Sequence, residues 1–209
     1  KNKVKPTAKK PLGVLACDFD ENGTYDIVLA KYQDNICYPV RGRSCSSQQM
    51  PFIIDKFPTF ASFAEASLVD IYGDDKLKNA LHYEAKKLES VFLENLGNGE
   101  FSMHKLPNEV QVSPIMDFEF IDIDGDKSQE IIVVGNHYKT EAETVRYDAS
   151  YGSVLSFKEG EFKVRKNSNT GFFNKGNAKS MAIINSKGKR QILVTNNDNK
   201  IQIFSIIKS

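Results

Sequence analysis

Two nine-residue stretches of this sequence carry closely spaced side chains that can offer oxygen atoms to a ligand. The first is residues 18–26 (DFDENGTYD) and the second is residues 122–130 (DIDGDKSQE). Oxygen-bearing side chains stand at positions 1, 3, 5 and 9 of both, with Thr or Ser at position 7, where a backbone carbonyl commonly serves. The candidate ligands are Asp18, Asp20, Asn22, Thr24 and Asp26, and Asp122, Asp124, Asp126, Ser128 and Glu130. This spacing is typical of a calcium-binding loop.

The charge on these stretches predicts that each binds a cation. At the ligand positions the first stretch carries three carboxylates and the second carries four. Held within a few ångströms, these groups would raise one another's pKa values and oppose closure of the loop. A hard divalent cation removes that repulsion, and calcium suits a flexible loop better than magnesium because it accepts roughly six to eight oxygen ligands. We therefore expect two Ca²⁺ sites.

The residues around each stretch predict a β-hairpin rather than an EF-hand. An EF-hand requires a helix on each side and a bidentate Glu at position 12, whereas position 12 here is Leu29 or Val133. The flanks are short apolar runs typical of strands, at residues 13–17 and 26–30 and at residues 118–121 and 131–134. The alternative is that Asp, Asn and Gly simply form good turns, but two copies in one strand-loop-strand setting favour the metal sites.

Composition excludes several classes of function. The chain has 209 residues, 40% of them hydrophobic, a net charge of +1 and a pI near 7.8. This charge gives no field that would recruit nucleic acid or an anionic membrane, and no apolar run is long enough for a membrane span. Because the first residue is Lys and no signal peptide is present, we interpret the chain as a mature or trimmed piece. Residues 1–12 are expected to form a linker or domain edge, with a basic nucleic-acid arm as the alternative.

The three cysteines do not resemble a zinc site. Cys17 lies in an apolar run and is expected to be a buried thiol. Cys37 and Cys45 flank a polar segment and could either close a small disulfide ring or remain thiols.

A helical insertion is predicted at about residues 59–81. A capping box beginning at Ser62 precedes apolar residues at helical spacing, Gly73 ends the run, and a second short helix is expected over residues 75–81. The apolar positions are Phe63, Ala66, Leu68 and Ile71. We interpret them as packing residues rather than as a ligand pocket.

The remainder reads as repeated strand-turn-strand units. Hairpins are predicted over residues 89–104 and 153–164, and a third cycle over residues 181–204. When Gln191 is aligned with Glu130, the third loop has Ile183, Asn185, Lys187 and Lys189 at its other ligand positions, so no metal is expected there. The predicted fold is all-β: a partial β-propeller of about three four-stranded antiparallel blades over residues 13–209, with the short helical insertion.

The acidic stretches resemble FG-GAP/VCBS repeats, the calcium-bearing blades of integrin-type β-propellers. Nearly the whole chain after Pro11 is similar to the C-terminal region of large secreted bacterial VCBS-repeat proteins related to cartilage acidic protein. The segments that carry this similarity are 38–39 (YP), 49–51 (QMP), 56–60 (KFPTF), 106–107 (LP), 111–114 (QVSP), 135–136 (GN), 146–152 (RYDASYG), 171–173 (GFF) and 196–198 (NND).

The resemblance implies export, so that the protein is secreted, periplasmic or on the bacterial cell surface. It also implies a seven-bladed propeller in the parent protein, whose remaining blades are partners of this chain, and calcium at the ten residues of the two stretches. Residues 183–191 depart from the acidic ligand pattern of these repeats, which puts a third metal site in doubt.

No pattern in the sequence indicates an enzyme. His82, His104 and His137 lie in no H-E-x-x-H frame, and no G-x-S-x-G elbow or phosphate-binding loop is present. A pair of acids for glycoside hydrolysis could be drawn from Glu141, Glu143 and Asp148; the alternative is a solvated loop with ion pairs to Arg146.

Two functions therefore stay open. The first is a noncatalytic extracellular or cell-surface binding or scaffold module with calcium-stabilised hairpin loops. The second is a carbohydrate-active protein, lectin or glycoside hydrolase, that uses the loop at residues 135–152. Aromatic and charged side chains in a loop on a rigid β scaffold suit a protein or glycan ligand, and Tyr138, Arg146 and Tyr151 are the candidates.

Overall fold

A computed structural model of the chain describes residues 4–141 and 144–207. Strands account for 41% of the structure and helices for 18%, and the sheets are antiparallel. The prediction of an all-β class is confirmed at this level. The described residues up to Leu88 form one compact unit and those from Glu89 onward form another.

The N-terminal unit contains a four-stranded sheet that holds the first acidic stretch. Its strands are β1 (Leu12–Cys17), β2 (Asp26–Gln33), β3 (Ile36–Pro39) and β4 (Leu81–Ala85), in the order β3-β2-β1-β4. Cys17 pairs with Asp26 at the end of the β1–β2 hairpin. The predicted strands on both sides of the first stretch are therefore confirmed.

Five short helices lie between β3 and β4. They are α1 (Arg43–Gln49), α2 (Phe52–Lys56), α3 (Phe60–Glu65), α4 (Leu68–Tyr72) and α5 (Asp74–Asn79). The helical segment thus begins earlier than the expected start near residue 59. Pro51 lies between α1 and α2, and Pro58 lies between α2 and α3. Proline separates these helices because it cannot donate the backbone hydrogen bond that would continue a helix.

The predicted capping box at Ser62 is wrong. Thr59 caps α3 and Ser62 is its reciprocal partner, while Ser67 and Asp70 form a second capping box that begins α4. The single helix predicted before Gly73 is therefore two helices, α3 and α4. Gly73, at φ +80°, ends α4 as expected.

The helical segment supplies most of the core of this unit. Leu15, Val28 and Ala30 of the sheet share it with Ile53, Phe63, Leu68 and Ile71 of the helices and with Met50, the residue that follows α1. The predicted apolar stripe is thus buried packing, as expected. Phe19, at position 2 of the acidic stretch, is buried against Tyr72 with ring centroids 4.7 Å apart, so the loop is anchored in the core.

The C-terminal unit consists of a hairpin and two antiparallel sheets. The hairpin is β5 (Val91–Gly97) with β6 (Glu100–Lys105), followed by a 3₁₀ turn at Asn108–Val110. The four-stranded sheet is β7 (Ile115–Ile121), β8 (Glu130–Gly135), β9 (Ser153–Lys158) and β10 (Glu161–Arg165) in chain order. After α6 (Asn167–Thr170), the three-stranded sheet is β11 (Ala178–Ser186), β12 (Lys189–Asn196) and β13 (Gln202–Ser205). The predicted hairpins of this region are confirmed.

The two larger sheets of this unit share one core. Ile121, Ile132 and Val154 of the four-stranded sheet lie in the same buried cluster as Met181 and Val194 of the three-stranded sheet. Strand β8 is buried along its whole length. The second acidic stretch connects β7 to β8 and is therefore attached to the most buried strand of the unit.

Residues 183–191, which the sequence aligned with the two acidic stretches, do not form a nine-residue loop. Ile183 pairs with Ile192 and Asn185 with Arg190, so these positions are strand residues. Lys187 and Gly188, at φ +50° and +76°, form a two-residue turn between them.

Cys37 and Cys45 are not joined by a disulfide bond in the described part of the chain, so the disulfide alternative is not realised there. Every helix in that part is short, and none has the length and apolar character that crossing a lipid bilayer requires.

Candidate metal centres

The first acidic stretch brings three carboxylates together. Asp18, Asp20 and Asp26 each offer an oxygen, and these oxygens lie within 4.8 Å of one another. Asp26 is the first residue of β2 and is only 2% exposed. Antiparallel pairing of β1 and β2 thus places positions 1 and 9 of the loop side by side.

Backbone N–H groups of the loop point at these side chains. Asp18 accepts hydrogen bonds from the N–H groups of Asn22 (3.0 Å) and Gly23 (2.8 Å). Asp26 Oδ2 accepts from the N–H of Phe19 at 3.0 Å, and Asn22 Oδ1 accepts from that of Thr24 at 2.8 Å. The side chains at positions 1, 5 and 9 therefore fix the shape of the turn.

One oxygen of this cluster has no partner. Asp20 Oδ1 is buried and accepts no hydrogen bond, which is costly for a charged group. Burial raises the pKa of Asp26, and the charges of Asp20 and Asp18 raise it further, against the lowering effect of the Phe19 hydrogen bond. Both observations fit a place where a cation would bind.

A lysine lies at the rim of this loop but not on the three carboxylates. Lys76 Nζ donates to the backbone oxygen of Phe19 and pairs with Glu21, both at 2.8 Å. Across residues 4–141 and 144–207, no salt bridge reaches Asp18, Asp20 or Asp26.

The second acidic stretch repeats the hydrogen-bond pattern. Glu130, 1% exposed, accepts from the N–H of Ile123 at 3.1 Å, as Asp26 does from Phe19. Asp122 accepts from the N–H groups of Gly125 (2.6 Å) and Lys127 (3.2 Å). Oxygens of Asp122, Asp124 and Glu130 lie within 4.8 Å of one another. Position 2 therefore donates to position 9 and position 6 to position 1 in both loops, while the second donor to position 1 is position 5 in the first loop and position 4 in the second.

The two loops also share their backbone conformation. Positions 4 and 6 have positive φ in both: Glu21 (+62°) and Gly23 (+87°) in the first loop, Gly125 (+85°) and Lys127 (+73°) in the second. Glycine occupies position 6 in one loop and position 4 in the other, so each loop holds one non-glycine residue in a region that glycine prefers.

The second loop differs because it contains a cationic side chain. Arg165, the last residue of β10, donates from Nη1 to Asp124 Oδ2 at 2.9 Å and from Nη2 to Glu130 Oε1 at 2.5 Å. The hydrogen bond from Arg165 lowers the pKa of Asp124. Sequence reasoning missed Arg165, since the predicted hairpin gave no sign that its end meets a loop some forty residues earlier.

The structure separates some predicted ligands from the clusters. Asp126 is not among the three clustered acids of the second loop. Instead its Oδ1 accepts from the N–H of Ser128 at 2.8 Å, and its Oδ2 lies 3.9 Å from Lys158 Nζ. Asn22 lies beside its own cluster, where its oxygen accepts from both the N–H and the hydroxyl of Thr24.

The base of the loop at residues 135–152 is held by a buried asparagine. The Asn136 side chain is bonded to Ser113, Ser150 and Gly176, and its backbone oxygen accepts from Lys179. One amide group thus joins three chain segments, and its role is structural.

Two of the three predicted ligand-binding residues of this loop meet each other. The Arg146 guanidinium lies 4.0 Å from the centre of the Tyr138 ring and donates to Asp148 at 2.9 Å. Tyr151 stacks instead on Phe173, with centroids 4.5 Å apart and the rings 11° from parallel.

The candidate acid pair gains no support from this arrangement. Asp148 is bound to Arg146, as the ion-pair alternative expected. Glu141 accepts a hydrogen bond from the hydroxyl of Thr144 at 2.9 Å. Glu143 lies outside the described residues.

Comparison with protein-family models, with curated proteins and with solved structures gives no match to this chain.

Proposed function

We propose that this chain is a noncatalytic extracellular or cell-surface binding or scaffold module whose hairpin loops are stabilised by calcium. The observation that carries the proposal is the repeated loop. Two stretches that differ at positions 2, 4, 6 and 8 both close with a hydrogen bond from the N–H of position 2 to the carboxylate of position 9, around carboxylates that β-strands hold together.

The donor set supports calcium as the ion. Carboxylate and amide oxygens on a turn are the ligands that calcium takes, and nitrogen or sulfur ligands, which zinc prefers, are not part of either cluster. Asp18, Asp20 and Asp26, with Asn22 and Thr24, would hold the first ion. Asp122, Asp124 and Glu130, with Asp126 and Ser128, would hold the second. A bound ion would neutralise the acidic groups that each turn brings together.

A partial propeller of FG-GAP/VCBS type is the arrangement that we propose for the sheets. Its support is the four-stranded meander β7-β8-β9-β10, with an acidic loop after its first strand, packed against a second meander. The sheet of the N-terminal unit has β4 beside β1, so its strand order departs from a simple meander. Secretion, or a position in the periplasm or on the cell surface, belongs to the same proposal.

Thermal unfolding with and without calcium tests the proposal. Protein stripped with EGTA should unfold at a lower temperature, and added Ca²⁺ should raise the transition because the ion binds the folded state alone. Mg²⁺ at the same concentration is the control and should raise it less, since it demands a more rigid octahedral site. A transition that is the same in EGTA and in Ca²⁺ contradicts the proposal.

A carbohydrate-binding role for the loop at residues 135–152 is the second candidate. Its support is the exposed aromatic stack of Tyr151 (47% exposed) and Phe173 (42% exposed) and the Arg146–Tyr138 contact. Replacing Tyr138, Arg146 or Tyr151 with Ala should weaken glycan or partner binding on an array while the melting temperature stays within a few degrees of wild type. A hydrolysis screen separates a lectin from a glycosidase.

A further inference from the structure

We propose that Arg165 is the resident cation of the second acidic loop and that Ca²⁺ must displace it in order to bind there. The inference rests on the proposed calcium function and assigns the two loops different affinities. The first loop is a high-affinity site, and the second binds calcium more weakly because a guanidinium already holds its carboxylates.

The contacts of Arg165 use the oxygens that a metal would need. Its two terminal nitrogens reach Asp124 Oδ2 and Glu130 Oε1. The other oxygens of these groups are also bonded, Glu130 Oε2 to the N–H of Ile123 and Asp124 Oδ1 to that of Asp126. Each of the four oxygens therefore has a hydrogen-bond donor, in contrast to Asp20, whose Oδ1 has none.

The ion pair between Arg165 and Glu130 is partly shielded from solvent. Glu130 is 1% exposed and the Arg165 side chain is 27% exposed, so solvent screens their charges less than it would at an open surface. Arg165 makes one charge-assisted hydrogen bond to the buried Glu130 and a second to the more exposed Asp124, and such bonds are among the stronger side-chain contacts. A calcium ion at the same oxygens would lie close to the guanidinium and be repelled by it. Metal and Arg165 therefore exclude each other.

Ca²⁺ titration by calorimetry of wild type, Arg165→Gln and Lys163→Gln tests this inference. Lys163 lies on the same strand and is exposed, so its variant removes one positive charge without touching the loop. Wild type should show one tight and one weak binding event, and Asp122→Asn should remove the weak one. Arg165→Gln should tighten the weak event roughly tenfold or more, the equivalent of one charge-assisted hydrogen bond. Lys163→Gln should leave it nearly unchanged.

Stability gives an independent readout. In EGTA, Arg165→Gln should unfold at a lower temperature than wild type, since the carboxylates lose their counter-ion, and in saturating Ca²⁺ that deficit should disappear. If the variant folds only with calcium present, that dependence supports the inference as well. Arg165→Lys, which keeps the charge but not the two-pronged contact, should lie between wild type and Arg165→Gln in calcium affinity.

Three results would overturn the inference. One is an unchanged weak event in Arg165→Gln, another is a shift no larger than that of Lys163→Gln, and the third is an equal loss of stability in EGTA and in Ca²⁺. With tight binding at the first loop intact, any of these removes the role of Arg165 and leaves the calcium function standing. Absence of binding in wild type and all variants would instead remove the calcium function itself.

Discussion

The two acidic loops share their turn geometry and differ in what balances their charge. In the first loop, Asp20 leaves a buried oxygen without a partner. In the second, Arg165 binds the corresponding Asp124 and also Glu130. The difference shows that backbone hydrogen bonds shape both turns, whereas a cationic side chain from another strand binds carboxylates of the second loop.

The largest expected effect of this difference is on calcium-dependent stability. Asp18→Asn and Asp122→Asn change position 1 of each loop. Asp18→Asn should abolish most of the calcium-induced rise in melting temperature, because the tighter site is lost; a ligand at 100 times its dissociation constant contributes about 2.7 kcal/mol. Asp122→Asn should remove little of it at the same calcium concentration. Equal losses in the two variants would end the distinction between the loops.

The next effect is on the free energy of unfolding without calcium. Removing a carboxylate charge should raise it in the first loop and lower it in the second. Asp20→Asn removes one of three clustered negative charges and should stabilise the protein in EGTA by about 1 kcal/mol, the scale of the repulsion between two charges about 4 Å apart in water. Asp124→Asn removes the partner of Arg165 and should destabilise it. Urea denaturation of both variants in EGTA measures the change in the free energy of unfolding that each substitution causes. If both variants shift in the same direction, Arg165 does not compensate the second loop.

A smaller effect tests whether the two backbones are truly alike. Gly23→Ala should cost about 1 kcal/mol, because alanine disfavours the positive φ at position 6. Lys127→Gly, at the same position of the second loop, should stabilise the protein by up to about 1 kcal/mol for the same reason. Chemical denaturation measures both. Destabilisation by Lys127→Gly would show that the second turn depends on a contact of the lysine side chain.

The smallest effect is on acid stability in EGTA. Asp26 has a raised pKa, so its ionised form opposes folding, and this cost fades as the pH falls through the raised value toward the ordinary 3.8. Asp124 has a lowered pKa, so its contribution is complete above 3.8 and is lost as the pH falls below that value. Asp26→Asn should therefore be more stable than wild type at neutral pH and Asp124→Asn less stable, and both differences should shrink in acid. Parallel curves for the two variants would contradict the assignment.

Local patterns were sufficient to predict much of the β structure. Alternating and continuous apolar runs beside Asp18 and Asp122 identified both hairpins, and Phe63, Leu68 and Ile71 are buried as their spacing indicated. These features depend on neighbours within a few residues, which a sequence displays directly.

Two kinds of feature were not predicted: those decided between competing local patterns, such as two candidate helix caps, and those that depend on contacts between residues far apart in the sequence. Ser62 matched a capping box with Glu65, but Thr59, extended after Pro58, caps the helix one turn earlier. The third loop was aligned by placing Gln191 opposite Glu130, whereas Lys187 and Gly188 close the strands in two residues. Arg165 meets Asp124 and Glu130 only because β10 lies in the same sheet as β8, and no local pattern records such a meeting.

The exchange of glycine between positions 4 and 6 bears on how such turns can be recognised in other sequences. A search motif that demands glycine at the sixth position would find DFDENGTYD and overlook DIDGDKSQE, and one that demands it at the fourth would do the reverse. A motif that accepts glycine at either position, and fixes only the acidic residues, would find both.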